Sequence, residues 1–173
     1  QVAAGRIDLE CGATTNTAQR RERVAFSPLI FVAGTRLLVK RGSPVRSLRD
    51  LAGRQVVAVR ATTNEAAMRQ LSRSAGRAFS VTAVGDHEQA LAKLAADEVH
   101  ALAADDILLA GALTEPAMRK QYVVVGELLS YEPYGIMFAK DDAPLAAVVD
   151  ASLRRLAATR ELRWIYNKWF LRS

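Results

Sequence analysis

The chain of 173 residues has one cysteine, Cys11, so no intrachain disulfide can form, and it carries neither a CxxC pair nor a metal-ligand spacing. A lone cysteine of this kind fits a buried apolar filler better than a reactive thiol. There are two histidines, His87 and His100, and no Ser/His/Asp set with a defensible arrangement. Gly-rich phosphate loops are missing, as are zinc-finger spacings, aromatic RNA-binding signatures, repeats and low-complexity segments. No run approaches the about 18 apolar residues that a membrane span needs. These absences argue against cofactor, metal and covalent chemistry. The net charge of +6 raises the question of nucleic acid, yet its basic residues are interleaved with acids, as in Arg20-Arg21-Glu22-Arg23 and Arg160-Glu161. Mixed charges at such spacing mark solvated helix faces, so no nucleic-acid partner is expected.

What is present is an ordinary globular composition, 50% hydrophobic and 24% charged, enough to bury a core as one domain or two small lobes. Strands and helices alternate. Val56–Val59 reads as a buried strand, and Thr62–Ser74 as a helix with Thr62 and Glu65 at capping-box spacing. Phe79–Val84 is a strand, Glu88–Ala96 a helix capped by Asp86, and His100–Ala104 a strand leading into a helix from Asp105. Tyr122–Val125 and Tyr134–Ala139 are further strands, and the last third is helical. The alternation predicts an α/β fold with a mostly parallel sheet. Leu29–Val39 reads as one unusually long strand with a place to bend at Gly34. His100 sits in an apolar strand context and reads as structural.

One stretch carries ligand chemistry. In Glu10-Cys11-Gly12-Ala13-Thr14-Thr15-Asn16-Thr17-Ala18-Gln19-Arg20, a strand runs into small hydroxylated residues and then a helix start with an arginine in its first turn. Small residues admit a ligand against the backbone, helix N-terminal amides favour an anion, and a guanidinium matches a carboxylate. The alternative is a capped surface helix with Arg20 solvated.

ECGATTNTAQR at 10–20 resembles the extracytoplasmic amino-acid-binding proteins of ABC importers, the family-3 solute-binding proteins, most of all their glutamate/aspartate-binding branch. AFSPLIFVAGTRLLVKRG at 25–42, VRATTNE at 59–65, GDH at 85–87, ADDILLAG at 104–111, YGIMFAKDD at 134–142 and the finish around Trp164 and Trp169 extend the likeness over nearly the whole chain. The resemblance implies a type II periplasmic binding protein-like α/β fold of two lobes joined by two hinge crossings. Lobe 1 would be residues 1–36 with 130–173, and lobe 2 residues 37–129. It implies a signal-peptide-processed periplasmic protein, not an enzyme, that captures an amino acid by hinge closure and presents it to the transporter's membrane subunits.

Residue by residue, the resemblance puts Arg20 on the ligand's α-carboxylate, assisted by groups at Ala13 and Thr15. Most relatives have a hydroxylated residue where Ala13 stands, so one hydrogen bond is expected to be lost there. From the second lobe Thr63 completes the carboxylate cage, Asp105 meets the ammonium group, and His87 lies near the ligand, where it could donate to a second carboxylate. Without the resemblance, Asp105 and Asp106 are equally good helix caps.

The family normally has a strand–helix–strand–helix block before the stretch that opens this chain. The expectation is therefore a fragment with lobe 1 truncated, which binds its ligand weakly or not at all while the full-length parent binds tightly, and whose uncovered apolar face is open to dimerisation, strand exchange or aggregation. Two rivals use the same fold. A membrane receptor kinase's sensor domain would continue into a transmembrane helix, whereas this chain finishes at 169–173 as the transport proteins do. A cyclohexadienyl dehydratase-like enzyme would need a cleft carboxylate besides the ammonium partner.

Overall fold

The computed structural model describes residues 1–76 and 78–170, so the end of the Trp-rich finish, residues 171–173, lies outside the described residues. In chain order the elements are β1 (Leu9–Glu10), α1 (Ala18–Arg21), β2 (Val24–Phe26), β3 (Phe31–Ala33), β4 (Thr35–Lys40), β5 (Gln55–Val59), α2 (Thr63–Ser74), β6 (Ser80–Val84), α3 (His87–Ala95) and β7 (Ala101–Asp105). They continue with α4 (Asp106–Ala112), α5 (Pro116–Gln121), β8 (Tyr122–Val125), β9 (Glu132–Tyr134), β10 (Met137–Ala139), α6 (Ala143–Ala158) and α7 (Glu161–Phe170). Short 3₁₀ turns lie at Val2–Ala4 and Leu48–Leu51.

Two compact units result. Unit 1 is Gln1–Phe31 with Pro133–Ser173, and unit 2 is Val32–Glu132. The chain passes between them through β3 and β9, which pair as a two-stranded sheet.

Unit 2 is built on a five-stranded sheet in the order β6-β5-β7-β4-β8. Successive residues of β4 point to opposite faces. Leu37 and Val39 join Val56, Ala58 and Met68 under α2, while Leu38 joins Val57, Leu94, Leu102 and Leu109 under α3 and α4. With both faces covered, the inward positions are mostly apolar, Thr35 of β4 and Asp105 of β7 being buried polar exceptions, and the strands read as near-continuous hydrophobic runs.

That continuity hides strand direction. β5 is parallel to β6 and β7, but β4 runs antiparallel to β7 and β8, so the sheet is mixed and the expected mostly parallel sheet is corrected. The short helix α5, opened by Pro116, was not anticipated from periodicity.

The long strand Leu29–Val39 is broken at Gly34, where a bend is expected, and the strand expected over Tyr134–Ala139 is interrupted at Gly135. Gly34 separates β3 from β4 because its peptide turns to Asp106: Gly34 N–H donates to Asp106 Oδ1 at 3.2 Å, and Asp106 N–H donates to Gly34 O at 2.9 Å. A Cβ at residue 34 would stand 2.6 Å from Ser130 O, so no larger residue fits. Gly135 separates β9 from β10, where Ser27 takes over: Ile136 N–H donates to Ser27 Oγ at 2.9 Å, and Ser27 N–H donates to Ile136 O at 2.9 Å.

Unit 1 holds a three-stranded antiparallel sheet, β1-β10-β2, of two- and three-residue strands. Its buried apolar residues include Val2, Val24, Tyr134, Phe138 and Val149. Cys11 is exposed, which corrects its reading as a buried filler. His100 is also exposed, just before β7, and its Nδ1 accepts from Gln55 N–H at 3.2 Å.

Candidate functional site

In unit 1 the candidate residues follow β1. The loop is stitched to β9 by three backbone contacts: Thr15 forms an antiparallel bridge with Tyr134, Asn16 N–H donates to Pro133 O at 2.7 Å, and Gly135 N–H donates to Thr14 O at 3.4 Å. Thr15 is buried, and Ala13 is exposed. Thr17 caps α1 by accepting Arg20 N–H at 3.2 Å. With four residues, α1 is too short for an appreciable dipole. The guanidinium of Arg20 is the cationic group that this stretch offers.

Arg20 is half-buried and donates from Nη1 to Thr15 O at 2.7 Å, which fixes the fork of its donors relative to the loop. Together with Arg23, Thr14 and Val24 it lines a hollow of about 420 Å³. The neighbouring Arg21 turns away to Asn16 Oδ1 at 2.6 Å.

In unit 2 three strand-to-helix junctions gather at the C-terminal edge of the parallel strands β6, β5 and β7, where open α/β sheets bind ligands. At the first, Ala61 takes a left-handed backbone at φ 61°, unusual for a residue with a Cβ, and the chain turns into α2. Thr62 accepts Glu65 N–H at 3.2 Å and donates to Val59 O at 2.6 Å, while Glu65 Oε2 accepts Ala61 N–H at 2.8 Å. The cap thus reaches one residue further back than its spacing alone predicts. Arg69, bonded to Glu65 at 2.9 Å, holds that carboxyl below its ordinary value against the opposing effect of burial. Thr63, half-buried, is the first helical residue.

At the second junction Asp105 ends β7, only 4% exposed. Asn64 Nδ2 donates to its Oδ1 at 2.7 Å. The adjacent Asp106 serves the Gly34 peptide and its own helix, accepting Ile107 N–H at 2.8 Å. The two aspartates that sequence leaves equivalent are thereby distinguished: one enters a buried polar network and the other closes a backbone turn.

At the third junction Asp86 caps α3 by accepting Gln89 N–H at 2.8 Å, and His87 follows it. His87 is exposed and borders an apolar hollow of about 270 Å³ with Leu91, Leu108 and Met118. Asn64 links the first turn of α2 to Asp105, but His87 stands with α3, on the other face of the sheet from α2.

Residues that sequence reasoning missed complete the picture: Asn64, Thr35, Ser130 and Glu132, of which all but Ser130 are buried outright. Their only signal was placement, since Asn64 is a poor helix former in the first turn after Thr62-Thr63, and Thr35 is the lone polar group beside Gly34 in an apolar run. A hollow of about 630 Å³ lined by Arg54, Arg69 and Arg73 lies elsewhere, toward the N-terminal ends of β5 and β6. Among the described residues no group of three or more His, Cys, Asp or Glu is placed to hold a metal, and no helix is long and apolar enough to cross a membrane.

Residues 1–172 match the family described as bacterial extracellular solute-binding proteins, family 3. The chain is 35% identical over 169 residues to an L-glutamate/L-aspartate-binding protein of Pseudomonas aeruginosa, covering 98% of itself and 56% of that protein. It is 33% identical over 166 residues to a glutamate/aspartate import solute-binding protein of Salmonella typhimurium, covering 96% of itself and 55% of that protein. It therefore spans little more than half the length of each. Among solved structures, an ancestral arginine-binding protein bound to arginine superposes with a TM-score of 0.85 at 30% identity, covering 98% of this chain and 74% of that one.

Proposed function

We propose a function from one premise: the chain belongs to the bacterial extracellular solute-binding proteins, family 3. The protein captures an amino acid, an acidic one by the names of its relatives, and delivers it to the membrane subunits of an ABC importer. It works in the periplasm, and binding itself is the function, with no chemical step. Closure about the two crossing segments is the capture step.

In unit 1 the Arg20 fork takes the α-carboxylate, with Thr15 and the Ala13 backbone beside it. In unit 2 Asp105 takes the α-ammonium, the first turn of α2 at Thr63 adds amide and hydroxyl donors, and His87 is the candidate donor to a side-chain carboxylate. Asp105 is the observation that carries the proposal. An acidic group at the C-terminal end of a central strand, on the edge where open α/β sheets bind ligands, suits a cationic group.

The test is calorimetry on this chain preceded by the strand–helix–strand–helix block expected to complete lobe 1, against glutamate, aspartate, glutamine, arginine and glutarate. Tight binding of glutamate or aspartate, lost by at least about 100-fold in Arg20→Ala, supports the assignment. Binding of arginine alone would overturn the acidic preference, and binding of none would overturn the function.

Self-association belongs to the same proposal. Val148, Trp164, Ile165 and Trp169 of α6 and α7 present exposed apolar surface on which a second copy could pack.

A further inference from the structure

Asn64 is the second residue of α2, 5% exposed, and spends both hydrogens of its side-chain amide inside unit 2. One goes to Asp105 Oδ1 at 2.7 Å and the other to Thr35 Oγ1 at 2.8 Å. Thr35 Oγ1 lies 2.7 Å from Ser130 Oγ, and Ser130 Oγ donates to Glu132 Oε1 at 2.6 Å. Ser130 Oγ also accepts Thr35 N–H at 3.0 Å.

Donor counting fixes the direction of this chain. A hydroxyl has a single hydrogen. Ser130 commits its own to Glu132, so the hydrogen between the two hydroxyls belongs to Thr35, and Thr35 in turn accepts from Asn64. The donors run one way, from Asn64 through Thr35 and Ser130 to Glu132, while the second amide hydrogen serves Asp105. One neutral group thus feeds two buried carboxylates, since Glu132 is 2% exposed. An aspartate at position 64 would have no hydrogen to give when ionised and would add a third carboxylate. The role is not helix capping, which Thr62 and Glu65 already perform.

The placement of the members has a consequence for ligand recognition. Thr35 begins β4 immediately beyond the crossing strand β3 and Gly34, and Glu132 begins the crossing strand β9. We propose that Asn64 is a positioning residue that holds the Asp105 carboxylate in the orientation that receives the ligand's ammonium group, and that it ties this orientation to the two segments through which the chain enters and leaves unit 2. The inference rests on the proposed role of Asp105.

The experiment compares glutamate with glutarate, which keeps both carboxylates and lacks the ammonium, by calorimetry on the chain preceded by the block expected to complete lobe 1. In Asn64→Ala, glutamate affinity is expected to fall about 10- to 100-fold and glutarate affinity by less than about threefold, so that discrimination between them collapses. Asn64→Asp should lose as much at neutral pH and recover part of it as the pH is lowered, because a protonated carboxyl regains one donor; Asn64→Ala should show no such recovery. Thr35→Val, which removes one link and keeps the shape, gives a second measurement if residue 64 tolerates no change; a loss of about threefold to tenfold, again confined to glutamate, is expected. Equal losses on both probes, or no loss in either variant, would overturn the positioning role. The wild-type chain separates the two ideas. If it does not prefer glutamate to glutarate, the assignment of Asp105 fails first and the role of Asn64 with it.

Discussion

Units 1 and 2 are cut from one chain, yet they hold their candidate residues in different ways. Unit 2 has a five-stranded sheet with helices on both faces, and its polar site residues are locked into a buried network anchored on that sheet. Unit 1 has strands of two or three residues, and its sixteen-residue helix α6 buries Val149 alone among its residues. In α7, Trp164 and Trp169 are 62% and 68% exposed, with the Lys168 ammonium 5.0 and 5.1 Å from their ring centres. Where packing is deep, a carboxylate can be buried and oriented in advance. Where it is shallow, the candidate residue is a long flexible side chain, Arg20, held by one backbone carbonyl.

The sharpest way to break this contrast is to hollow each unit in turn. Leu38→Ala, at the centre of unit 2, should cost about 2–5 kcal/mol, whereas Val149→Ala in unit 1 should cost about 1 kcal/mol or less. Denaturant unfolding followed by probes in each unit would show it, and equal costs would erase the distinction. A smaller effect is expected at the cap of α6. Asp142 accepts Leu145 N–H at 3.0 Å, so Asp142→Ala should lower the stability of unit 1 by about 1 kcal/mol and leave the unit 2 transition in place. Replacing Trp164 and Trp169 together by serine should change stability by no more than about 0.5 kcal/mol while reducing self-association in sedimentation velocity. An unchanged sedimentation profile, dimeric or monomeric, would remove that face from consideration.

The smallest effect concerns pH. The Glu65 carboxyl is held below its ordinary value of 4.5 by Arg69 and the Ala61 N–H. A lowered folded value stabilises the charged form, so the contribution is full above about pH 4.5 and is lost as pH falls through the lowered value. The difference in melting temperature between wild type and Glu65→Gln should therefore narrow between neutral pH and pH 3. A constant difference would mean that the ion pair at the α2 cap contributes nothing to folding.

Legibility followed the same division. The Thr62 cap, the helix after it and the strand before it could be read locally, because capping and periodicity are relations among residues three or four apart. The bend at Gly34 could be read as well, but not the partners that make the breaks at Gly34 and Gly135, which are distant, Asp106 in one case and Ser27 in the other. Nor could the direction of β4, because a strand buried on both faces has the same pattern whichever way it runs.

By itself, then, the sequence determined the alternation of strands and helices, the caps and the motif order that identifies the family, all of which depend on neighbours along the chain. Only the tertiary structure decided which of the two aspartates is buried and what holds it. That choice turns on contacts across 29, 41 and 95 positions, from Asn64 to Thr35, from Asn64 to Asp105 and from Thr35 to Ser130. Hydrogen-bond donors must meet their acceptors in space, and nothing in the local pattern of residues records where a folded sheet will bring them.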